Sequence, residues 1–557
     1  MNNVFKLLVV AVLAWFAVAM PVAAASPEAC RNTLESLIET ADHPDLRWSD
    51  FSRLRVPVRQ LYELNAYQPV WLAGDRPTRQ ALAVMEALEQ VANKGLNPRD
   101  YESGTWAGRA ASLRDFQGHE LGCEQALFDL ALTVSFMRYL GDLRVGRVDP
   151  KEVRIHLDVR DKKLDLALFV REVSLSEDVA ASLARVEPPY RHYWALLEAL
   201  RTYRELEKDP RLSEPLTPVR KLEPGDRYAD LERLVYRLRR FGDLTSDVTA
   251  QLQAGVYDGP LVEAVERFQR RHGLTVDGII GKKTLRRLNT PVSERVKQIE
   301  LSLERYRWLP DDLGYRPIVV NVPGFELRAY DTEADQNLRN ALSMNVIVGE
   351  SYPRHQTPLF RGQLKHVVFG PYWNVPYSIL RRELYPKIAW DPEFIPMNGY
   401  EIVSHFSPHA TPLPINEENI QRLLSGEVKL RQRPGKRNAL GEVKFLFPNR
   451  HSVYLHGTPA KRLFSRDQRD FSHGCIRVQD PAALAEYVLK QEGWGRERVD
   501  RTIARGTWKQ VNLSQPIDVY VLYGTAAADP NAGTVYFYND IYGHDAKLER
   551  ALAAVYR

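Results

Sequence analysis

The chain has 557 residues, of which 44% are hydrophobic and 10% aromatic, and it carries a formal net charge of +5. This composition excludes a disordered chain, and the length exceeds what one hydrophobic core can organise, so about three or four domains are expected. The mildly basic balance suits an anionic matrix, although solvated surface charge explains it equally well. Nucleic-acid binding is not expected, because no motif supports it.

The first 25 residues have the layout of a secretory signal. Lys6 precedes an apolar run from Leu7 to Met20, and three alanines precede Ser26, as at a signal cleavage site. The run is short for a bilayer crossing, but an uncleaved signal that keeps the protein at the inner membrane remains an alternative. We therefore expect an exported protein.

The three cysteines are interpreted in the oxidising compartment that export implies. Unpaired thiols are at risk there. Cys30 and Cys123 can pair, which leaves Cys475 as a free thiol. A free thiol outside the cytoplasm suggests a use for it, and an intermolecular disulfide is the weaker alternative.

Residues 26–226 are predicted to form a helical scaffold domain. Leu82, Met85 and Leu88 recur at helical spacing, and Gly95 follows as a helix stop. The region contains no cluster of catalytic residue types, so a scaffold role is the simplest interpretation.

Residues 227–292 are predicted to form a small domain of short helices. Pro260 suits the first position of a helix. The segment resembles the three-helix peptidoglycan-binding module of cell-wall enzymes, most closely at Phe268-Gln269, Gly273-Leu274 and Val276-Asp277-Gly278. The resemblance implies binding to glycan or stem peptide, and a module retained only as a spacer is the alternative.

Residues 316–525 carry short runs of β-branched and aromatic residues, which predict a mainly β domain. A connecting helix over 293–315 precedes this domain, and a tail of unknown role over 526–557 follows it. A cationic insert over about 377–445 is long enough to be a lid, with a plain surface excursion as the alternative. The expected fold class is therefore multidomain α+β.

A cluster of histidine and glycine around one cysteine forms the candidate active site of the β domain. It comprises residues 453–458 and 471–478. Cysteine reacts as the thiolate and a free thiol is mostly protonated at neutral pH, so Cys475 needs a base. His456 and His473 are both candidates for that base. The alternative is a buried structural cysteine, which the flanking glycines disfavour.

The order His456-Gly457 and then Ser472 to Arg477 closely resembles the signature of L,D-transpeptidases, the cysteine enzymes that cross-link bacterial peptidoglycan. The order of the domains is similar to that of the large Gram-negative members, which join a helical scaffold, a peptidoglycan-binding module and a lidded catalytic domain. Tyr372-Trp373-Asn374, just before the insert, fits that subgroup. A periplasmic location in a Gram-negative envelope is therefore expected.

The resemblance implies a role for each residue of the cluster. Cys475 is the nucleophile, and His456 is the proton donor and acceptor. Arg477 stands where many members carry Asn, so it either positions the cysteine loop or binds a substrate carboxylate. The remaining assignments are Gly457 as the carbonyl that orients His456, His473 and Ser472 as supporting residues, Gly474 as an oxyanion N–H donor, and Tyr372, Trp373 and Asn374 as substrate-binding residues.

The implied activity is formation of 3→3 cross-links through a cysteine acyl-enzyme, from a tetrapeptide donor that loses D-alanine. Carbapenems are expected to acylate the same thiol, and Arg431 and Arg433 of the insert to meet stem-peptide carboxylates. Attachment or detachment of lipoprotein and L,D-carboxypeptidase action are alternatives, and a non-enzymatic peptidoglycan-binding protein is an alternative of another class. No metal or cofactor is expected. The expected partners are peptidoglycan stem peptides, glycan and other cell-wall synthesis enzymes.

Overall fold

The structure is a computed structural model that describes residues 26–159, 162–332, 338–352 and 355–555. The predicted signal, residues 1–25, lies outside the described residues. Among the helices in the described ranges, none is long and apolar enough to cross a bilayer. The described residues divide into two compact units, the first made of residues 26–90, 98–139 and 165–182 and the second of residues 91–97, 140–159, 162–164, 183–332, 338–352 and 355–555.

The first unit is helical and its core contains a buried carboxylate. Asp129 accepts hydrogen bonds from the Tyr62 hydroxyl (2.7 Å) and from the N–H groups of Val70 (2.9 Å) and Trp71 (2.7 Å). Burial raises the pKa of Asp129 to about 6 despite these donors. Its elements are α1 (Pro27–Thr40), α2 (Arg55–Leu64), β1 (Leu72–Ala73), β2 (Arg76–Pro77), α3 (Arg79–Glu89), α4 (Trp106–Ser112), α5 (Gly118–Val145), α6 (Leu166–Leu175) and α7 (Val179–Ala184), of which α5 and α7 continue into the second unit.

Both scaffold cysteines lie in the first unit as free thiols. Burial raises the pKa of Cys30 to about 12, and the Thr33 hydroxyl donates to the Cys123 sulfur at 3.5 Å. The disulfide that the sequence allows is therefore not formed in this structure.

The second unit contains the remaining elements. Its strands are β3 (Ile155–His156), β4 (Lys221–Leu222), β5 (Ile280–Gly281), β6 (Ile318–Asn321), β7 (Glu326–Thr332), β8 (Leu338–Gly349), β9 (Leu359–Phe369), β10 (Trp373–Asn374), β11 (Tyr400–Val403), β12 (Pro412–Leu413), β13 (Lys429–Gln432), β14 (Val443–Leu446), β15 (Leu455–His456), β16 (Asp470–Ser472), β17 (Ile476–Val478), β18 (Lys509–Leu522), β19 (Ala526–Ala528) and β20 (Val535–Phe537). Its helices are α8 (Arg191–Glu207), α9 (Leu231–Arg240), α10 (Thr249–Ala254), α11 (Pro260–Arg271), α12 (Lys282–Leu288), α13 (Val292–Arg307), α14 (Tyr377–Ile379), α15 (Tyr385–Trp390), α16 (Phe394–Met397), α17 (Glu417–Ser425), α18 (Pro481–Val488), α19 (Arg496–Arg505) and α20 (His544–Leu552).

A helical module with its own core spans α9 to α12. Pro260 is the first residue of α11, where its missing N–H costs no hydrogen bond. Leu261, Val265 and Phe268 are buried in the module core, as their spacing predicts. The next helix, α13, contacts α8.

The strands of the β domain close into a ring. Because β14 pairs with both β15 and β9, the order β14-β15-β17-β8-β7-β6-β18-β9 returns to its starting strand. Closure leaves no free sheet edge along this ring. Val320, Leu327, Val346, Leu455 and Val519 belong to its buried core. The predicted multidomain α+β class is confirmed.

The predicted insert is a folded layer with a separate core. Its sheet has the order β10-β13-β11-β12, and a π-helical turn over Leu380–Leu384 lies between α14 and α15. Leu380, Ile388, Ile402 and Leu430 pack together inside it. The chain re-enters the ring at β14. We call residues 373–432 the lid.

The tail after Thr525 is also folded. β19 and β20 form a hairpin, and Ala526, Ala528 and Phe537 pack in one cluster with Leu200 of α8 and Leu303 of α13. The tail therefore joins the β domain to the helices that precede it.

Candidate active site

Two short strands position the predicted catalytic residues. β15 and β17 run parallel, with Leu455 opposite Ile476 and His456 opposite Arg477. Side chains alternate along a strand, and Leu455 and Ile476 are in the buried core, so His456 and Arg477 share the other face. Cys475 directly precedes β17, two residues before Arg477, so its side chain lies on the same side as that of Arg477. We call this surface the catalytic face.

His456 is held as a neutral imidazole. Its Nδ1 lies 2.5 Å from the Gly457 carbonyl oxygen. A carbonyl only accepts, so Nδ1 carries the proton and Nε2 remains an acceptor. Burial, reinforced by the positive charges of Arg477 and Lys444, lowers the pKa of His456 to about 3. The imidazole is therefore unprotonated at Nε2 at neutral pH.

Cys475 is a half-buried thiol. Burial raises its pKa, and this effect is opposed by the Tyr454 N–H, the Lys444 charge, the Tyr454 hydroxyl and the Arg477 charge. Its sulfur lies 3.9 Å from the Ser452 carbonyl oxygen. The resting site therefore holds a neutral thiol and a neutral imidazole, not an ion pair.

Lys444 lies near the thiol and was missed by the sequence analysis, while Tyr454 lies in the predicted cluster but was given no role there. Lys444 of β14 lies opposite His456, and its Nζ is 3.8 Å from the centre of the Tyr454 ring. Burial lowers the pKa of Lys444, while Cys475 acts to raise it. The sequence contained one signal for Lys444: it is a cation between Val443 and Phe445 in an otherwise apolar strand.

The loop before Cys475 is fixed by internal hydrogen bonds. The Ser472 hydroxyl donates to the Cys475 carbonyl at 2.5 Å and accepts from the Gly474 N–H at 3.1 Å. Gly474 has φ +113°, a conformation that favours glycine, and its carbonyl accepts from the Thr357 hydroxyl at 2.9 Å. The Gly474 N–H already donates to the Ser472 hydroxyl, so its predicted use as an oxyanion donor would require this hydrogen bond to break. The Cys475 N–H is the next backbone donor along the loop.

Comparison with known families assigns the three regions of the chain. A scaffold domain matches residues 56–200, a peptidoglycan-binding domain matches residues 227–288, and an L,D-transpeptidase catalytic domain matches residues 316–538. The chain contains an L,D-transpeptidase catalytic domain. The resemblance seen in the sequence is thereby confirmed.

One similar relative is the curated "Putative L,D-transpeptidase" of Haemophilus influenzae. It is 32% identical over 259 residues, which are 46% of this chain and 50% of that protein. The chain therefore spans about half the length of the curated relative that it matches.

His473 of the L,D-transpeptidase domain faces the lid. Its Nε2 lies 2.8 Å from an oxygen of Glu383 in the lid, and its ring centre is 4.5 Å from that of His355. Because Glu383 belongs to the π-helical turn, this contact joins the cysteine loop to the lid.

Arg477 lies on the catalytic face with part of its guanidinium unsatisfied. Its Nε is buried without a hydrogen-bond partner among the described residues. Burial lowers the pKa of Arg477, and Cys475 and Glu350 act to raise it. Such a group suits an anionic ligand.

The predicted substrate-binding segment belongs to the lid sheet. Trp373 pairs with Gln432 and Asn374 with Arg431, and the Arg431 guanidinium lies 4.2 Å from the centre of the Tyr372 ring. Trp373 and Asn374 thus belong to the lid and Tyr372 contacts it, and the role of all three in substrate binding stays a prediction.

The prediction that Arg431 meets substrate carboxylates is wrong. Arg431 is buried, and it donates to Glu401 at 2.9 Å and to the Ala410 carbonyl at 2.9 Å. It connects β13 to its neighbours inside the lid. Arg433, two residues later, is exposed. Among the residues described, no group of three or more His, Cys, Asp or Glu side chains is arranged to hold a metal ion.

Proposed function

We propose that this protein forms 3→3 cross-links in peptidoglycan through an acyl-enzyme on Cys475. The observation that carries the proposal is the position of Cys475, directly before β17, on the face that His456 of the neighbouring strand β15 shares, with Nδ1 of His456 held by the Gly457 carbonyl. The L,D-transpeptidase and peptidoglycan-binding domains support peptidoglycan as the substrate.

In the first half-reaction, His456 takes the thiol proton as the Cys475 sulfur attacks the carbonyl carbon of the third residue of a donor tetrapeptide. The carbon–nitrogen bond to the terminal D-alanine breaks, and His456 returns the proton to the departing amine. A thioester remains on Cys475. Splitting the transfer into two steps is the benefit of covalent catalysis.

In the second half-reaction, the side-chain amine of another stem peptide attacks the thioester. His456 accepts a proton from that amine, and the Cys475 sulfur leaves and takes a proton back. The Cys475 N–H is the donor that we assign to the developing oxyanion, because the Gly474 N–H already donates to Ser472.

We assign to Arg477 the binding of the donor stem peptide. Its buried Nε and its position beside His456 suit a carboxylate of the stem peptide. Of the two alternatives that the sequence leaves open, we therefore favour substrate binding over positioning of the loop. Periplasmic location, expected from residues 1–25, belongs to the same proposal because the substrate lies outside the cytoplasm.

The test is incubation of the purified protein with tetrapeptide-rich sacculi, followed by muramidase digestion and mass spectrometry of the fragments. The expected result is 3→3 dimers with the natural chain and none with Cys475→Ala. Tripeptides without dimers would indicate an L,D-carboxypeptidase, and exchange of a lipoprotein would indicate that substrate instead. Binding without any product would indicate a non-enzymatic protein.

A further inference from the structure

The peptide bond that joins Gly474 to Cys475 is held from outside the cysteine loop by Thr357. The Thr357 hydroxyl donates to the Gly474 carbonyl oxygen at 2.9 Å and accepts from the Gly349 N–H at 2.8 Å. Because the Gly349 N–H can only donate, the single hydroxyl proton of Thr357 points to Gly474. Thr357 is 1% exposed, so water does not compete for these two hydrogen bonds.

The direction of the Gly474 carbonyl also sets the direction of the Cys475 N–H. The two groups belong to one planar trans peptide unit, so they point in opposite directions. The Cys475 N–H is the donor that we assign to the developing oxyanion. A hydrogen bond to the carbonyl polarises the N–H of the same peptide unit and makes it a stronger donor. Thr357 therefore acts on the oxyanion donor through the peptide bond.

Thr357 is held in turn by Tyr542 of the tail. The Tyr542 hydroxyl accepts from the Thr357 N–H at 3.2 Å and donates to the Gly349 carbonyl at 2.5 Å. The backbones of Gly349 and Thr357 lie so close together that a Cβ on Gly349 would be 2.7 Å from the Thr357 nitrogen. Tyr542 therefore fixes the position from which the Thr357 hydroxyl reaches Gly474.

Tyr542 is itself fixed by a set of hydrogen bonds. Its N–H donates to the Tyr523 hydroxyl at 2.9 Å, and that hydroxyl donates to Asp540 at 2.6 Å. Asp540 also accepts from the N–H groups of His544 and Asp545 in the first turn of α20, at 2.8 and 3.0 Å. Tyr542 lies beyond the residues that match the catalytic-domain family. A segment outside that match thus supports the cysteine loop.

We propose that Thr357 and Tyr542 are positioning residues for acyl transfer, which orient the Cys475 N–H toward the oxyanion through the Gly474 carbonyl. This inference rests on the proposed function, because it requires an oxyanion that forms beside Cys475. The tail, whose role the sequence leaves open, then acts as a part of the catalytic domain.

The experiment compares two reactions of the Cys475 thiol in the full chain. Acylation by a carbapenem passes through an oxyanion, whereas alkylation by iodoacetamide does not, and intact mass follows both. The test variants are Thr357→Val and Tyr542→Phe, each of which removes a hydroxyl and nearly keeps the size of the side chain. Thr357→Ser keeps the hydroxyl and is the conservative variant.

The matched controls make the same changes at buried residues outside the cysteine loop. Tyr520→Phe, in β18, removes a hydroxyl that has no hydrogen-bond partner among the described residues. Thr502→Val, in α19, removes a hydroxyl that donates to the Arg498 carbonyl of the same helix at 2.8 Å. Both controls should be acylated and alkylated at the natural rates. The thermal unfolding midpoint shows whether each variant is folded.

We expect Thr357→Val to lower the acylation rate by roughly 10–100-fold, less than the ~10²–10³-fold cost of losing an oxyanion donor outright. Tyr542→Phe should lower it roughly fivefold, the effect of about one hydrogen bond. Thr357→Ser should retain most of the natural rate. Alkylation should keep its natural rate in all three variants, because it needs no oxyanion donor.

Natural acylation of Thr357→Val would overturn the inference and leave the proposed function intact. A parallel fall of acylation and alkylation would also overturn it, because the whole loop would then be displaced. An equal loss in Thr357→Ser and Thr357→Val would do the same, since the hydroxyl would not be the group that matters. If the natural chain is not acylated, the proposed function fails, and the inference fails with it.

Discussion

The catalytic face and the lid both surround the predicted active site, but they are specified in different ways. On the catalytic face, strand alternation places His456 and Arg477 together on two adjacent strands, and Cys475 lies two residues before Arg477 on the same side. In the lid, Arg431 is directed inward by a pairing between β11 and β13 that joins residues 30 positions apart. A short motif therefore predicts the catalytic face well, while the function of a lid residue depends on which strand it pairs with.

The largest effect is expected on the catalytic face itself. Replacing His456 by Gln removes the group that moves the proton in both half-reactions, so turnover should fall by ~10²–10⁴-fold. Dimer formation from sacculi measures this loss. His366→Gln, at a half-buried histidine of β9 whose Nδ1 lies 2.9 Å from Asn512 Oδ1, is the matched control and should retain full activity. Normal turnover by the His456 variant would contradict the assignment.

The buried Arg431 of the lid and the exposed Arg433 just after it should differ in their effect on lid stability. Arg431→Ala leaves Glu401 without its partner, which should cost about 3 kcal/mol of lid stability, while Arg433→Ala should cost little. Hydrogen exchange over residues 400–432 measures the difference. Equal protection in the two variants would mean that Arg431 does not hold the lid together.

The cysteine loop should be sensitive to its backbone conformation. Gly474→Ala places a side chain at φ +113° and should destabilise the loop by roughly 1–3 kcal/mol, with a parallel loss of acylation. Gly493→Ala, at φ +68° with no heavy atom within 4 Å of the added Cβ, is the control. That control should leave acylation intact. Intact mass after carbapenem addition measures the acylation of both variants.

The smallest effect concerns the pH dependence of the thiol. The Lys444 charge lowers the pKa of Cys475, so Lys444→Met should raise that pKa and shift the rise of acylation rate to higher pH. Lys444→Arg keeps the charge and should retain the natural profile. Because the pKa of His456 is lowered to about 3, its protonation should not limit the rate near pH 6.5. Identical profiles for the two Lys444 variants would remove Lys444 from the site.

Some features of the fold and the site could be predicted from the sequence and others could not, for a physical reason. The helical module, the β domain and the cysteine cluster could be predicted, because periodicity and motif spacing are local properties of the sequence. Lys444 could not, since it reaches His456 through the pairing of β14 with β15. The use of the Gly474 N–H by Ser472 was likewise hidden, because it depends on the three-dimensional turn of the loop.

The most direct test of the account is the intact mass of the protein after incubation with a disaccharide tetrapeptide, beside Cys475→Ala. We expect a thioester adduct that lacks the terminal alanine, formed by the natural chain and absent from the variant. An adduct of the same mass on the Cys475→Ala chain, or bound peptide with no adduct on the natural chain, would contradict acyl transfer through Cys475.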